Sequence, residues 1–397
     1  MLILAGILNY ADRQIIAVLK PLLDRDLGWG DAAYGRATAL FQLGSALALL
    51  GAGRLVDRIG WRRANPLAVG AWSLAAMAHA GARTAAAFGA VRFALGAAEA
   101  MATPTAVKSV AASYGPEERA TAFGILNAAN GLGAIATPLM IPVLALTIGW
   151  AGAFLATGGL GLLWAAAWIA LQTGRGVVDP GPGETAPGAP ADQVSWTRVL
   201  RDRRTLAIAG AKALSDQVWW LLLYWTPDLL HRVYHLGVER LGAPLAVMYG
   251  CASLGALAAG PVSGALAASG LSLNARRKLA LTGFGLLAVP VWFAPRMGDY
   301  WQATAILGLA LAAHQAYSTT LFTVITDISP GAQVATVVSI GAFCGNLAGM
   351  LILQTAGWVL AAGLGYDPLL GFASISYLLG VLWLHWLAPR LERAKDP

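Results

Sequence analysis

Apolar and polar positions along this chain do not alternate at a soluble helix's period. They fall instead into long, nearly unbroken apolar runs separated by short polar joints. Twelve runs of spanning length can be marked, near 1–22, 34–56, 66–83, 85–113, 119–145, 148–172, 205–230, 243–269, 277–295, 300–327, 333–362 and 368–388. About 20 apolar residues at 1.5 Å per residue match a hydrocarbon core of about 30 Å, so the pattern predicts twelve transmembrane helices. The long polar interruption, 174–204, holds the Pro/Gly-rich tract Pro180-Gly-Pro-Gly-Glu-Thr-Ala-Pro-Gly-Ala-Pro190 and reads as a flexible linker. The expected organisation is all-α: a six-helix bundle over 1–173, a cytoplasmic linker over 174–204, and a second six-helix bundle over 205–397.

Composition agrees. Hydrophobic residues make up 57% of the 397 positions and charged residues only 12%, against about 25% charged in a soluble domain. The formal charge of +7 does not point to nucleic acid, because the basic residues gather in a few joints between apolar runs. With both termini in the cytoplasm, sixteen of the 27 basic residues fall on inside segments and seven on outside ones, Lys20 among the latter, as the positive-inside rule requires. The remaining four, Arg13, Arg92, Lys108 and Lys212, fall within predicted spans. The bilayer is a bacterial inner membrane on this reading. The segment at Met1 reads as a retained span that begins short, not as a cleaved signal. Cys251 and Cys344 lie inside apolar runs and read as packed thiols.

Charge inside a span costs about 2.5–3.5 kcal/mol per group on insertion scales, so each such group marks a candidate site. Arg92 and Glu99 sit two turns apart on one face of the fourth run, roughly 10 Å along its axis. Their expected partners are Asp12 and Arg13 in the first run. Eleven residues precede Asp12, about 16 Å of helix, which places it near mid-membrane. An arginine there offers paired planar donors to a carboxylate. Asp12 and Glu99 are then expected to titrate when a substrate anion competes for Arg13 or Arg92, and this would couple proton to anion. Asp216, with Lys212 one turn away, is a second intramembrane pair with a coupling role.

The joint after the second run reads Gly53-Arg-Leu-Val-Asp57-Arg58-Ile-Gly60-Trp61-Arg62-Arg63. It resembles the Gly-x-x-x-Asp-Arg-x-Gly-Arg-Arg signature of the major facilitator superfamily, with Trp61 in place of the first arginine of the final group. Arginines around Asp57 are expected to pair with it, Gly53 to allow close helix contact and Gly60 a tight turn. Together with Arg119, the cluster reads as a gate that latches one bundle to the other and releases it. The halves also echo one another. Pro116 with Ala120-Thr121 matches Pro330 with Ala335-Thr336, and Arg62-Arg63 matches Arg276-Arg277-Lys278, as in transporters built from repeats.

Further stretches narrow the resemblance: Asn9-Tyr10-Ala11-Asp12-Arg13-Gln14, Arg92-x-x-Leu-Gly96-x-x-Glu99-Ala-x-x-x-Pro104-x-x-x-Lys108, Lys212-Ala-Leu-Ser-Asp216-Gln217-Val-Trp219-Trp220, and Ala313-His314-Gln315-Ala. They resemble the anion:cation symporter branch, most of all its bacterial hexuronate and sugar-acid transporters. That resemblance implies a substrate carboxylate held by Arg13, proton coupling through Asp12 and Glu99, and Arg92 as structural or coupling counter-charge. Tyr10 and Asn130 match positions that face substrate in relatives, and Lys212 stands where a relative has arginine. Gln42, Ser45, Asn127, Gln217, Trp220, Tyr224, His314, Gln315, Ser318 and Asn346 are further candidates for lining a sugar-acid cavity, since hydroxyl-rich ligands need donors, acceptors and an aromatic wall.

The expected activity is import of an organic monocarboxylate with protons by alternating access, performed by a monomer with no cofactor and no metal. His231 and His235 lack a third ligand and read as solvated. Another organic anion, such as an aromatic acid or tartrate, and proton antiport are the rival transport readings. An enzyme is disfavoured because the chain has no His-Glu-x-x-His pair, no Gly-x-Ser-x-Gly elbow and no Gly-Lys-Ser phosphate loop.

Overall fold

In the computed structural model the described residues are 1–115, 118–173, 196–330 and 333–392. They form thirteen α-helices: α1 Leu2–Leu27, α2 Asp31–Ile59, α3 Trp61–Ala78, α4 Ala85–Glu99, α5 Ala102–Ser113, α6 Arg119–Thr173, α7 Trp196–Arg201, α8 Arg203–Tyr234, α9 Gly242–Ala268, α10 Leu273–Ala288, α11 Tyr300–Ile328, α12 Val334–Ala361 and α13 Asp367–Leu387. Eight helical stretches are long and apolar enough to cross a bilayer; one of them, Asn130–Gln172, is 43 residues long. At 1.5 Å per residue that is about 65 Å, two crossings. The helix turns between them at Gly149, whose φ of 76° suits a residue without Cβ. α3, α8 and α11 complete the twelve crossings, α4 and α5 serving as the two parts of one. Lys212, Gln217 and Asp228 of α8 and His314 and Ser318 of α11 are buried polar positions, which lower the hydropathy of these two helices.

Local chemistry places the ends. α1 stops at Gly28 in the left-handed conformation. Thr84 caps α4 by accepting from the Ala87 amide at 3.2 Å, and Asp299 caps α11 by accepting from the Trp301 and Gln302 amides. The fourth expected span is broken at Ala100 and Met101. Pro104 accounts for the break, because its ring clashes with the carbonyl four residues back and it has no N–H to give. The described part of the segment expected to be linker, 196–204, is helical as α7 and the start of α8; residues 174–195 lie outside the described residues.

The chain packs as two units, one holding the described residues of Met1–Ala189 and His235–Ala246, the other those of Pro190–Tyr234 and Val247–Pro397. In the first, α1 lies along α6, α2 along α4, and α3 against α4 and α6. Its core includes Phe41, Val56, Val69, Trp72 and Leu95. The α2/α4 crossing is close because two glycines face backbone. A Cβ on Gly44 would overlap the Phe93 carbonyl, and one on Gly96 the Phe41 carbonyl. In the second unit α8 lies between α12 and α13, with α10 on α11. Large apolar side chains such as Leu163, Leu254 and Leu257 are 65–73% exposed, a surface suited to acyl chains.

Close approach gives a stability test. Gly96→Ala should lose about 1–3 kcal/mol by overpacking. Gly53→Ala, where a Cβ meets nothing within 4 Å among the described residues, should gain about 0.5–1 kcal/mol of helix propensity. Thermal unfolding of the purified variants reads both, with opposite signs expected.

Candidate functional site

Within the first unit, the middle of α1 and the length of α4 bring four ionisable side chains together. Arg13 donates from Nη2 at 2.8 Å and from Nε at 3.1 Å, both to Glu99 Oε2. A weaker bond runs from Arg13 Nη2 to Asn9 Oδ1 at 3.4 Å. Arg92 is fully buried. Its Nη1 and Nη2 donate at 3.4 Å to the main-chain carbonyls of Asp12 and Arg13. Within the expected quartet Arg13 pairs with Glu99 and Arg92 holds the α1 backbone. Asp12 is 0% exposed, and among the described residues neither of its carboxylate oxygens accepts a hydrogen bond. Thr157 and Arg92 are its polar neighbours.

Two features make the cluster chemically usable. The Arg13 side chain keeps 19% exposure while that of Glu99 has none, so the guanidinium is the reachable half of the pair. Among the described residues, several buried polar atoms on α1, α2 and α4 also lack hydrogen-bond partners: Glu99 Oε1, Asn9 Nδ2 and both amide atoms of Gln14 and of Gln42. Such concentration is rare in folded interiors, where buried polar groups are nearly all satisfied. Phe41, 1% exposed, lies beside both arginines, its ring centroid 4.6 Å from the Arg92 guanidinium and 5.6 Å from that of Arg13. Tyr10 takes the other side of Arg13 at 5.6 Å. Gln42 and Ser45 are buried on α2 beside Phe41. Asn130 on α6 meets α1 at Gly6. The side chain of Asn127 lies outside the described residues.

The second unit holds its own charge pair. Lys212 Nζ is 2.9 Å from Asp216 Oδ2, with the ammonium 5.0 Å from the Phe322 ring centroid and Ser215 Oγ donating to Asp216 Oδ1 at 3.2 Å. Lys212, Asp216 and Trp220 recur every four residues along α8 and meet Gly341, Gly345 and Gly349 of α12, which also recur every four. A Cβ at any of the three would crowd the facing side chain. Trp220 stacks with Tyr224. Other candidates have these contacts: Gln217 Nε2 donates to Ser376 Oγ at 3.1 Å, His314 Nδ1 lies 3.1 Å from the Tyr377 hydroxyl and stacks on Trp219, and Asn346 Nδ2 donates to the Ala342 carbonyl. Ser318 is buried and Gln315 half-buried on α11.

The signature joint lies about 22 Å along α2 from Gln42. Among the described residues Asp57 pairs there with Lys108 of α5, whose side chain is 34% exposed, and not with an arginine; Lys108 lies in the middle of α5, within the spanning stretch Ala85–Val110 as expected. Trp61 fills its position by packing edge-on against Trp168, 6.2 Å away, whose Nε1 donates to the Arg62 carbonyl. The Arg62 guanidinium lies over Trp61, and Arg58 and Arg63 are exposed. Gly60 has φ 76° and makes the expected turn, whereas Gly53 makes no close contact among the described residues. The Arg119 side chain and Pro116 lie outside the described residues. In the second unit Arg277 pairs with Asp327 at 2.8 Å, so each unit ties its loop to a later helix, with the signs exchanged.

Several residues escaped the sequence reading. Lys20, taken as an outside loop charge, has 1% side-chain exposure and pairs with Asp24 at 2.6 Å and Asp31 at 2.9 Å. Asp228, buried, accepts from the Tyr366 hydroxyl and pairs with Arg232. The four-residue spacings Lys20–Asp24 and Asp228–Arg232 were the available signal. Phe41, Tyr377 and Ser376 carried none, being ordinary residues of apolar runs.

Asp216→Asn should cost about 3–5 kcal/mol by leaving Lys212 buried without its partner, while the double change Lys212→Met with Asp216→Leu should cost far less. Thermal unfolding of the two variants separates the outcomes.

Comparison with known proteins supplies the context for these clusters. The model of the Major Facilitator Superfamily matches residues 2–353. The chain is 27% identical over 321 residues to the probable L-galactonate transporter of Escherichia coli K12, spanning 78% of this chain and 71% of that one. It is 24% identical over 409 residues to the hexuronate transporter of the same strain, 99% of this chain and 94% of that one. A crystal structure of a bacterial homolog to the human lysosomal transporter Spinster, in an inward-facing and unoccupied conformation, shares the fold with a TM-score of 0.75 at 22% identity, over 98% of this chain and 94% of that one.

Proposed function

The chain belongs to the major facilitator superfamily, and from that premise we propose that it is a proton-coupled symporter of a sugar acid, a hexuronate or aldonate, in a bacterial inner membrane with both termini cytoplasmic. It is a multi-pass membrane transporter, not an enzyme. The observation that carries the proposal is the asymmetry of the Arg13–Glu99 pair: the cation is partly open and the anion is closed off.

The mechanism follows from charge balance. Asp12, Arg13, Arg92 and Glu99 sum to zero when all are ionised, and a buried site tolerates little departure from that. A substrate carboxylate reaching Arg13 competes for the Nε and Nη2 donors that both go to Glu99 Oε2. Its negative charge is balanced by a proton, taken by Glu99 once Arg13 leaves it, or by Asp12 beside it. Arg92 stays on the carbonyls of α1 and keeps the helix in register with α4. Neither proton nor anion then crosses readily alone, and alternating access carries both. Gln42, Ser45 and Tyr10 stand near enough to Arg13 to meet the hydroxyl-bearing remainder of the ligand. In the second unit Lys212 is held by Asp216. The sugar-acid assignment rests on the names of the relatives, the carboxylate on the guanidinium itself. The gating reading of Asp57, Gly60 and the neighbouring arginines belongs to the same proposal.

Two experiments test this. In proteoliposomes an acidic outside should accelerate uptake of a hexuronate or aldonate. Glu99→Gln should lose proton-driven accumulation while keeping substrate exchange, and normal coupling in that variant would remove Glu99 from the scheme. Arg13→Lys, with one point charge in place of a planar fork, should weaken binding about tenfold, roughly 1.4 kcal/mol. Thermal-shift screening should show stabilisation by sugar acids but not by the corresponding neutral sugars; the reverse would defeat the arginine–carboxylate model.

A further inference from the structure

The second unit carries a cluster of arginines that transport chemistry does not use. Two cavities adjoin at the end where α8 and α10 begin and α13 finishes. One, about 620 Å³, includes Arg276 and Arg390 in its lining. The other, about 610 Å³, includes Arg201, Arg203 and Arg204. They share Arg390 and Glu392. Both volumes lie in the range of small-molecule sites. Among the described residues five arginines thus line the cavities with two carboxylates; Asp202 Oδ1 accepts from the Arg204 amide at 2.9 Å, and Arg204 Nη1 donates to the Ile328 carbonyl at 3.1 Å. The N-terminal ends of α8 and α10 add positive partial charge to the same region. Arg276 is half-buried in the lining of the first cavity, and its Nε has no hydrogen-bond partner among the described residues.

The surroundings indicate what kind of anion. Leu271, in the lining of the first cavity, is 40% exposed, and Leu200 and Leu206 beside the second are 45% and 42% exposed. On α13, just before the cavities, Trp383 and Trp386 are 37% and 67% exposed. Exposed tryptophans at the end of a spanning helix mark the headgroup level of a bilayer. A basic pocket at that level, flanked by apolar surface, matches a ligand with a phosphate head and acyl tails. A free anion would need the arginines but not the leucines and tryptophans.

We propose that this arginine-lined pair of cavities binds the phosphate head of an anionic phospholipid, with its acyl chains along the exposed leucines and Trp386 of α13. Arginine suits the role because its fork donates two parallel bonds to phosphate oxygens. The site is separate from the Arg13–Glu99 cluster and its occupancy does not depend on the transported substrate.

The test uses the full-length purified protein, by native mass spectrometry and thermal unfolding in nanodiscs. Discs of phosphatidylglycerol mixed with phosphatidylcholine should show retained phosphatidylglycerol and a higher melting temperature than discs of phosphatidylcholine alone. The double variant Arg276→Gln with Arg390→Gln should lose most of both effects, while the exposed Arg36→Gln, which removes a positive charge elsewhere, should keep them. Equal melting of the variant and the unaltered protein in phosphatidylcholine alone verifies that the variant is folded, and Arg390→Gln by itself, beyond the last helix, should give a partial loss. Retention of phosphatidylglycerol undiminished in the double variant would overturn the assignment. So would an equal stabilisation by inorganic phosphate in phosphatidylcholine discs, which would make the site one for a soluble anion.

Discussion

An arginine and a glutamate that meet across two helices inside a membrane-spanning bundle impose conditions on everything around them. Neither charge is tolerable alone in a medium of low dielectric, and bringing the two within 2.8 Å requires α1 and α4 to hold a fixed register. That register is supported from both sides. Arg92 donates to two consecutive carbonyls of α1. Gly44 and Gly96 let α2 approach α4 closely enough for Phe41 to lie beside both guanidiniums. The arrangement is a network in which each member's position depends on the others, and it leaves one member, Arg13, open.

The second unit solves a related problem by different means. Its charges are neighbours on a single helix, Lys212 and Asp216 one turn apart, so pairing needs no second charged helix. What it needs is room, and the glycines of α12 supply it along the whole face of α8. The remaining polar side chains of α8 and α11, Gln217 and His314, are directed to Ser376 and Tyr377 of α13. Hydrogen bonds between helices are a main adhesive in lipid, where no hydrophobic force separates protein from solvent. Polarity in these helices therefore divides into groups available to a ligand and groups consumed by packing.

Much of this was readable in the residue pattern. The long apolar runs, Asp12-Arg13 in the first and Arg92 with Glu99 in the fourth specify a helical membrane protein with a charged centre, because spanning length and the cost of buried charge are properties of residues and of the bilayer. The signature around Asp57 and Gly60 was equally legible as a helix end and turn. Pairings were less so. Asp57 meets Lys108 and not an arginine, because α5 delivers a lysine to that end of α2, and helix rotation decides such matters.

The chain alone thus determined the class of structure, the number of crossings, the intramembrane charges and the family. Those depend on hydropathy, spacing and short motifs, which are local quantities. Tertiary structure alone decided that Arg92 holds backbone while Arg13 holds Glu99, that Lys20 is buried between two aspartates, that Phe41 lies beside both arginines, and that five arginines far apart in the chain line two cavities. Each of these depends on the relative rotation and depth of helices separated by tens to hundreds of residues, and that geometry comes from packing small side chains against backbone, a sum over many contacts that no single stretch of sequence contains.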